Sequence, residues 1–226
     1  MLKIIKQIIK ELTKSQVEEY IEQPYTIEED ILCSKIEMEL TNTIHLKHFL
    51  SIEQFILNQA KAESNLFTYA TRYERHIEDF SVGIFQLLTN TAKWLGYEGK
   101  ITGLFDIDTQ VQLAIKYLDY LYGRFPEIRD THNRLQFAFL SYNCGIGNVN
   151  RLLRLLRDRE GVVYAGEHTI QGNWSNFNIA LENLYIVTGS NSEISRRYIN
   201  RIFWDTWTLN IRRNENDWKW DTKGLF

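Results

Sequence analysis

A glutamate at the end of an amphipathic segment is the residue of this chain that is best placed for acid–base chemistry. The segment runs from Ser51 to Glu63, and neutral side chains recur along it at steps of three and four residues: Ile52, Phe55, Ile56, Gln59 and Ala60. Glu63 continues that line, so its carboxyl is expected to project from the buried face of a helix. Burial and the negative end of the helix dipole both raise the pKa of such a carboxyl, which can then act as a general acid. Considered alone, the pattern also fits an exposed glutamate that ends an ordinary helix.

Two other segments combine glycine with side chains that can bind a ligand. Gly83-Ile84-Phe85-Gln86 offers a tight turn followed by an amide donor and acceptor. Tyr142-Asn143-Cys144-Gly145-Ile146-Gly147-Asn148-Val149 lies where one predicted helix ends and the next begins. Tyr142 extends the apolar face of its helix, so its hydroxyl can reach a buried polar group, and the amide of Asn143 lies at the helix exit. Each segment alone is also typical of a turn between helices.

Taken in order, these segments resemble the soluble lytic transglycosylases with a lysozyme-like fold. That family's pattern joins Glu-Ser, Gly-Leu-Met-Gln, Thr-Ala, Tyr-Leu-x-x-Leu, Ala-Tyr-Asn-Ala-Gly-x-Gly-Asn-Val and Glu-x-x-x-Tyr-Val. The corresponding elements here are Glu63-Ser64, Gly83 to Gln86, Thr91-Ala92, Tyr117 to Leu121, Ser141 to Val149 and Glu193 to Ile199. Phe85, Asn90 and Cys144 stand where the family usually has Met, Pro and Ala. The resemblance extends over about residues 50–203 and implies a mainly α, lysozyme-like domain, similar in fold to goose-type lysozymes.

The resemblance also implies a substrate and a role for individual residues. The substrate is the peptidoglycan glycan strand, cleaved at the β-1,4 bond between N-acetylmuramic acid and N-acetylglucosamine to leave a 1,6-anhydro product. Glu63 is expected to act first as the catalytic acid and then as the base, without a second protein carboxylate, a metal or a cofactor. The residues expected to bind the substrate are Ser64, Gln86, Tyr142, Asn143 and Tyr198.

Two alternative functions remain open at this point. A hydrolytic muramidase would need a second carboxylate to activate water, at about 6.5–9.5 Å from the acid in an inverting enzyme. Asp79 and Glu74 are the candidates, because they precede Gly83 on the segment expected to border the site. Asp79 could equally cap a turn, and Glu74 could pair with Arg72 or Arg75. The second alternative is a non-catalytic module that binds the cell wall and has kept the fold.

Helical periodicity dominates the chain, and strand-like alternation is scarce. Helices are predicted over residues 1–22, 28–40, 51–63, 89–95, about 106–123, 133–143, from 148 onward, 178–187 and 192–208. Ser51, Asp106 or Asp108, and Asn148 are the expected N-caps. Residues 160–178 are predicted to be irregular, with a short strand at Gly161–Tyr164. We therefore predict an N-terminal helical extension (1–45), a lysozyme-like domain (46–208) and a C-terminal tail (209–226) that contains Trp218 and Trp220.

Composition narrows the range of partners. The 226 residues include 26 basic and 29 acidic side chains, and this net charge of −3 argues against nucleic acid as a partner. No apolar run reaches the length of a signal-peptide core, about 7–15 residues, or of a membrane span, about 20. His76 shows no metal-ligand spacing with His132 or His168. We therefore expect a protein that acts on the cell wall without a visible export signal, as a phage lysis or virion protein would, with terminal extensions that could dock it to a larger assembly.

Overall fold

The computed structural model of the chain describes residues 26–163 and 173–213. The helix predicted over residues 1–22 and the Trp-containing part of the tail lie outside these ranges. The described residues are mainly helical. Their α-helices are α1 (Glu29–Leu40), α2 (Ile52–Ser64), α3 (Thr89–Trp94), α4 (Ile107–Gly123), α5 (Thr131–Cys144), α6 (Ile146–Val163), α7 (Phe177–Asn183), α8 (Tyr185–Thr188) and α9 (Ser192–Arg213). Short 3-10 turns occupy Leu46–His48, Ile101–Phe105, Asn173–Ser175 and Gly189–Asn191.

A three-stranded antiparallel sheet, which was not predicted from the sequence, lies between α2 and α3 in the chain. Its strands are β1 (Thr71–Glu74), β2 (Asp79–Val82) and β3 (Leu87–Leu88), in the order β1-β2-β3. The register pairs Thr71 with Val82 and Glu74 with Asp79. All four residues of β2 are buried, including the polar Asp79 and Ser81, so the alternation of polar and apolar residues in its short sequence does not correspond to an exposed and a buried face.

Most predicted helices are present, and the differences have local causes. Ser51 adopts a left-handed conformation (φ 59°) and makes no capping bond, whereas Asp106 caps α4 by accepting from the Thr109 N–H at 2.9 Å. The cap predicted at Asn148 is wrong, because α6 begins earlier, at Ile146. The helix predicted over 178–187 is divided between α7 and α8 at Leu184.

The strand predicted at Gly161–Tyr164 is wrong for residues 161–163, the part of it that the structure describes. The helix α6 continues through Val163, and position 164 lies outside the described residues. Leu152, Leu153 and Leu156 are buried on one face of α6, and the helix continues past Gly161.

The apolar core divides into two clusters, and the candidate site lies where they meet. The larger cluster surrounds α2, against which α9 packs through the rings of Phe55 and Phe203, 4.8 Å apart. The described helix α1 contributes Leu32 and Ile36 to the same cluster. The smaller cluster lies under the sheet and α3. Two half-buried tyrosines, Tyr117 of α4 and Tyr142 of α5, pack against both clusters. Within the described residues, no helix combines the length and apolarity that a membrane span needs.

Candidate active site

Glu63 lies in the last turn of α2 and faces a cavity of about 520 Å³. The helix ends at the next residues, where Asn65 takes a left-handed conformation (φ 54°) and its N–H donates to the Lys61 carbonyl at 2.9 Å. The chain then turns away, so the carboxyl of Glu63 is left at the cavity wall. On the sheet side the cavity is lined by Arg72, Glu74, His76, Ile77, Ser81, Gln86, Leu87 and Leu88. On the helical side it is lined by Thr91, Tyr117, Tyr142, Asn143, Cys144, Gly145, Gly147 and Asn148.

The surroundings of Glu63 keep its carboxyl partly protonated at neutral pH. Burial is the main cause and raises its pKa from 4.5 to about 7. The Tyr198 hydroxyl and the positive charge of Arg72 lower the pKa of Glu63, and the negative charge of Glu74 raises it. A carboxyl with a pKa near 7 can both donate and accept a proton at neutral pH.

Arg72 and Glu74 bring opposite charges to the cavity from β1. The Nε of Arg72 forms an ion pair with Oε1 of Glu74. The same oxygen lies 3.4 Å from the Ser81 hydroxyl, whose single proton has a closer acceptor in Gln86 Oε1. Only 19% of the Glu74 side chain is exposed, against 67% of the Arg72 side chain. Glu74 is thus a groove-facing carboxylate that is already partnered.

Asp79, the other candidate for a second carboxylate, has a structural role. It is 3% exposed and does not line the cavity. One carboxylate oxygen accepts from the Phe80 N–H at 2.7 Å and from the Thr89 hydroxyl, and the other accepts from the Asn90 N–H at 3.1 Å. These bonds join β2 to the first turn of α3. Of the two carboxylates proposed from the sequence, the structure brings Glu74 to the cavity and leaves Asp79 buried at the start of β2.

Ser64 fixes the end of α2 and does not line the cavity. Its hydroxyl lies 2.8 Å from the Ile84 carbonyl and 3.2 Å from the Ala60 carbonyl, and it can donate to either. The shorter contact joins the residue after Glu63 to the segment that carries Gln86. Ser64, expected to bind substrate, is placed as a support for Glu63.

Gln86 lines the cavity, but its polar atoms are engaged within the protein. Its Nε2 donates to the carbonyls of Ala70 and Gly83 at 3.0 and 2.9 Å, and its Oε1 accepts from the Ser81 hydroxyl at 3.0 Å. Gln86 itself adopts a left-handed conformation (φ 46°), as does Gly83 (φ 73°). The amide therefore holds the turn between β2 and β3 in shape, and a ligand would meet an oriented and rigid wall.

Gln110 of α4 stabilises the same turn, a role that was not predicted from the sequence. Its side chain is fully buried, its Oε1 accepts from the Phe85 N–H at 3.2 Å and its Nε2 donates to the Leu104 carbonyl at 2.6 Å. A Cβ on Gly83 would lie 2.4 Å from the Gln110 Cδ. In the sequence, Gln110 is visible only as an uncharged polar residue just before the apolar stripe of α4. Its role cannot be inferred there, because it depends on this tertiary contact.

Tyr142 and Asn143 form the helical wall next to Glu63. The Tyr142 hydroxyl donates to the Phe85 carbonyl at 3.1 Å, and its pKa is raised well above the usual value by burial and by the nearby charge of Glu63. Asn143 accepts from the Ser195 hydroxyl at 2.7 Å through its Oδ1. Tyr142 thus orients the chain at Phe85 rather than bonding Glu63 directly.

Tyr198 lies behind Glu63 instead of forming a wall for a ligand. It is 5% exposed, belongs to α9 and does not line the cavity. Its hydroxyl is directed at Glu63, where it favours the ionised carboxylate, and at the buried amide of Gln59. Neither this hydroxyl nor the Gln59 Nε2 completes a hydrogen bond of full geometry among the described residues.

Comparison with known proteins identifies the family. The model of the transglycosylase SLT domain matches residues 46–163. A membrane-bound lytic murein transglycosylase F from Desulfosudis oleivorans is 35% identical over 82 residues, which are 34% of this chain and 17% of the relative. A protein of the same name from Haemophilus influenzae is 30% identical over 79 residues, or 35% of this chain and 16% of the relative. The matched stretch is therefore only a small part of these relatives' length.

A solved structure agrees with the fold. The crystal structure of an inactive mutant of the lytic transglycosylase Slt from Pseudomonas aeruginosa matches 78% of this chain and 24% of that one, with a TM-score of 0.52 at 16% sequence identity. This likeness supports the lysozyme-like helical architecture expected from the sequence. Because the family model covers slightly more than half of the 226 residues, the chain belongs to the transglycosylase SLT domain family.

Proposed function

We propose that this chain is a lytic transglycosylase that cleaves peptidoglycan, with Glu63 as its acid and then its base. One observation carries the proposal: a carboxyl with a pKa of about 7 stands at the wall of a 520 Å³ cavity. Family membership and the names of the matched relatives point to the same substrate.

The reaction uses one carboxyl twice. Protonated Glu63 donates its proton to the oxygen that bridges C1 of N-acetylmuramic acid and C4 of N-acetylglucosamine, and the C1–O bond breaks. The acetamido group of the muramic residue stabilises the positive charge at C1, as in other substrate-assisted glycosidases. Ionised Glu63 then takes the proton of the muramic 6-hydroxyl while that oxygen bonds to C1. The anhydro ring closes, Glu63 is protonated again, and no water is consumed.

The charges around Glu63 suit this double role. Arg72 favours the carboxylate that forms after the first proton transfer, whereas burial favours the acid that begins the cycle. Tyr142 and Asn143 lie on the helical wall of the cavity, next to Glu63, and Gln86 holds the turn on the sheet side. These residues line the cavity next to the acid, where a sugar ring can bind. Because their side chains are already held in place, they can orient the ring at little entropic cost.

Hydrolysis by the same site is the second candidate, and Glu74 is the observation that favours it. Its carboxylate faces the cavity, as a residue that activates water would. Its ion pair with Arg72 reduces its availability as a base. We therefore prefer transglycosylation. A non-catalytic module that binds the wall would not need a carboxyl held partly protonated in a cavity.

The remaining organisation of the chain is part of the same proposal. We assign the catalytic activity to the domain predicted over residues 46–208, to which α1 also belongs because Leu32 and Ile36 are buried in the same core. We infer that the remaining terminal residues, 1–25 and 214–226, serve to dock this domain to a larger assembly. A pull-down that uses either terminal segment as bait would test the inference, and retention of normal localisation after removal of both segments would contradict it.

The test of the function is the clearing of a purified cell-wall suspension. Glu63→Gln should abolish clearing, because the amide can neither donate nor accept the proton at neutral pH. Glu53→Gln is the matched control, since it makes the same change on α2 outside the cavity. Clearing by Glu63→Gln at the rate of the unmodified protein would remove Glu63 from the mechanism.

A further inference from the structure

An exposed aromatic pair lies one helical turn beyond the cavity wall. Trp94, at the end of α3, is 59% exposed, and Tyr120 of α4 is 38% exposed. Their ring centroids are 4.7 Å apart with an interplanar angle of 67°. Large aromatic side chains that remain exposed together commonly mark a binding surface. We call this pair, Trp94 and Tyr120, the aromatic platform.

The platform adjoins the cavity, because each of its two helices also contributes a residue to the cavity wall. Thr91 of α3 and Tyr117 of α4 line the cavity, and Trp94 and Tyr120 each follow them by three residues. A spacing of three residues places side chains on one helical face, about 4.5 Å farther along the helix axis. The rings of Tyr117 and Tyr120 are nearly parallel, at 12° and 6.3 Å, and Tyr117 is in turn 5.3 Å from Tyr142. A line of aromatic rings thus leads from the wall next to Glu63 to the surface.

The platform is held in a fixed arrangement. The Lys116 amine donates to the Leu95 carbonyl at 2.7 Å and joins the end of α3 to α4. Trp94 also meets Tyr117 nearly edge to face, at 78° and 6.4 Å. On the other side, the guanidinium of Arg124 lies 5.8 Å from the centre of the Tyr120 ring. Such contacts fix the orientation of the rings before a ligand arrives, which reduces the entropic cost of binding.

We propose that the aromatic platform is an additional saccharide-binding site, which holds a part of the glycan strand that extends beyond the cavity. One face of a pyranose ring presents C–H groups and is apolar, so it packs against an aromatic ring while its hydroxyls stay hydrated. A glycan strand continues past the bond that is cut, and the line of rings continues past the cavity in the same way. The inference rests on the proposed function, since it takes the cavity to bind the same strand.

The experiment compares oligosaccharides of two lengths. Binding of an uncross-linked peptidoglycan tetrasaccharide and octasaccharide is measured by calorimetry on the full chain carrying Glu63→Gln, which prevents turnover. Trp94→Ala and Tyr120→Ala, each added to that chain, should weaken octasaccharide binding about 2–10-fold, the effect of losing one aromatic contact, and leave tetrasaccharide binding unchanged. Tyr185→Ala is the control, because Tyr185 is 58% exposed on α8 and does not line the cavity.

The outcomes separate the two proposals. If the octasaccharide binds normally and neither substitution weakens it, or if both lengths weaken equally, the platform does not hold the strand. If neither saccharide binds the parent chain, the proposed substrate itself is wrong. Light scattering of the same proteins tests whether a second copy of the chain occupies the platform instead. Self-association that Trp94→Ala abolishes would make the platform an interface between copies and overturn the proposal. Unchanged thermal unfolding of the variants shows that the exposed substitutions leave the fold intact.

Discussion

The Ser64 hydroxyl donates to the Ile84 carbonyl at 2.8 Å, and this bond joins the helix end that carries Glu63 to the turn that carries Gln86. The next carbonyl along the turn, that of Phe85, accepts from Tyr142 of α5 at 3.1 Å. Two consecutive backbone carbonyls are therefore bonded to two different helices. The position of Glu63 depends on residues that need not touch the substrate.

Ser64→Ala should reduce both stability and turnover. The substitution leaves the Ile84 carbonyl without its hydroxyl donor, at a cost of about 1–2 kcal/mol in the free energy of unfolding. Because the end of α2 is then less firmly held, kcat should fall more than KM rises. Chemical denaturation and cell-wall digestion rates measure the two effects.

The control for this substitution is Ser34→Ala on α1. The Ser34 hydroxyl donates to the Asp30 carbonyl, four residues earlier, at 2.9 Å, and this bond is exposed to solvent. Its loss should be nearly neutral. If Ser64→Ala behaves in the same way as Ser34→Ala in both measurements, the joint between α2 and the turn does not position Glu63.

Gly83→Ala should disrupt the turn between β2 and β3. Gly83 has a φ of 73°, and an added Cβ would lie 2.4 Å from Gln110 Cδ, so backbone strain and a collision act together. We expect a loss of about 2–4 kcal/mol in the free energy of unfolding, measured by denaturant titration. Gly147→Ala is the matched control, because a Cβ there meets nothing within 4 Å. Equal stability of the two variants would contradict the packing described for this turn.

The raised pKa of Glu63 makes stability depend on pH with a defined sign. Between pH 4.5 and about 7 the folded chain holds the Glu63 proton and the unfolded chain releases it, so the contribution of Glu63 to the free energy of unfolding falls as pH rises. Glu63→Gln carries no such proton. Relative to the unmodified protein, its free energy of unfolding should therefore increase from pH 4.5 to pH 8, by about 3 kcal/mol at most.

Denaturant titrations at several pH values measure this difference. Subtracting the free energy of unfolding of one protein from that of the other removes the contribution of all other titrating groups. Glu53→Gln, on the same helix and outside the cavity, should not reproduce the effect. A difference between Glu63→Gln and the unmodified protein that stays constant with pH would mean that Glu63 ionises as an exposed carboxyl does.

Glu74→Gln separates an electrostatic role of Glu74 from a catalytic one. The charge of Glu74 raises the pKa of Glu63, and its removal also leaves Arg72 without its ion pair. Both changes lower the pKa of Glu63, so the alkaline limb of the pH–rate profile should move to lower pH. The products should remain the same. Loss of all activity at every pH would instead support Glu74 as a base that activates water.

The helices and the burial of Glu63 could be predicted from the sequence because their signals are local. The apolar steps along α2 predicted both the helix and the burial of Glu63, and the pKa of about 7 agrees with the predicted direction. The cap at Asp106 likewise depends on a residue only three positions away. Ser51 failed as a cap because its backbone is left-handed, a conformation that its residue type does not reveal.

The sheet and the supporting contacts could not be predicted, because their causes are tertiary. The strands are only two to four residues long, too short for a period of two to stand out from the helical periodicity of the sequence. Asp79 and Gln110 acquire their roles from partners 10 to 25 positions away in the chain. In the same way, Tyr198 was expected at a sugar-facing wall, but the packing of α9 on α2 places it behind Glu63.

The most direct test of the account is mass spectrometry of the muropeptides released from purified peptidoglycan by the unmodified protein. If Glu63 acts as acid and then as base, every new glycan end on the muramic side carries a 1,6-anhydro ring, and Glu63→Gln releases none. Products that end only in reducing N-acetylmuramic acid would show that water attacks the sugar, and would contradict the proposed mechanism.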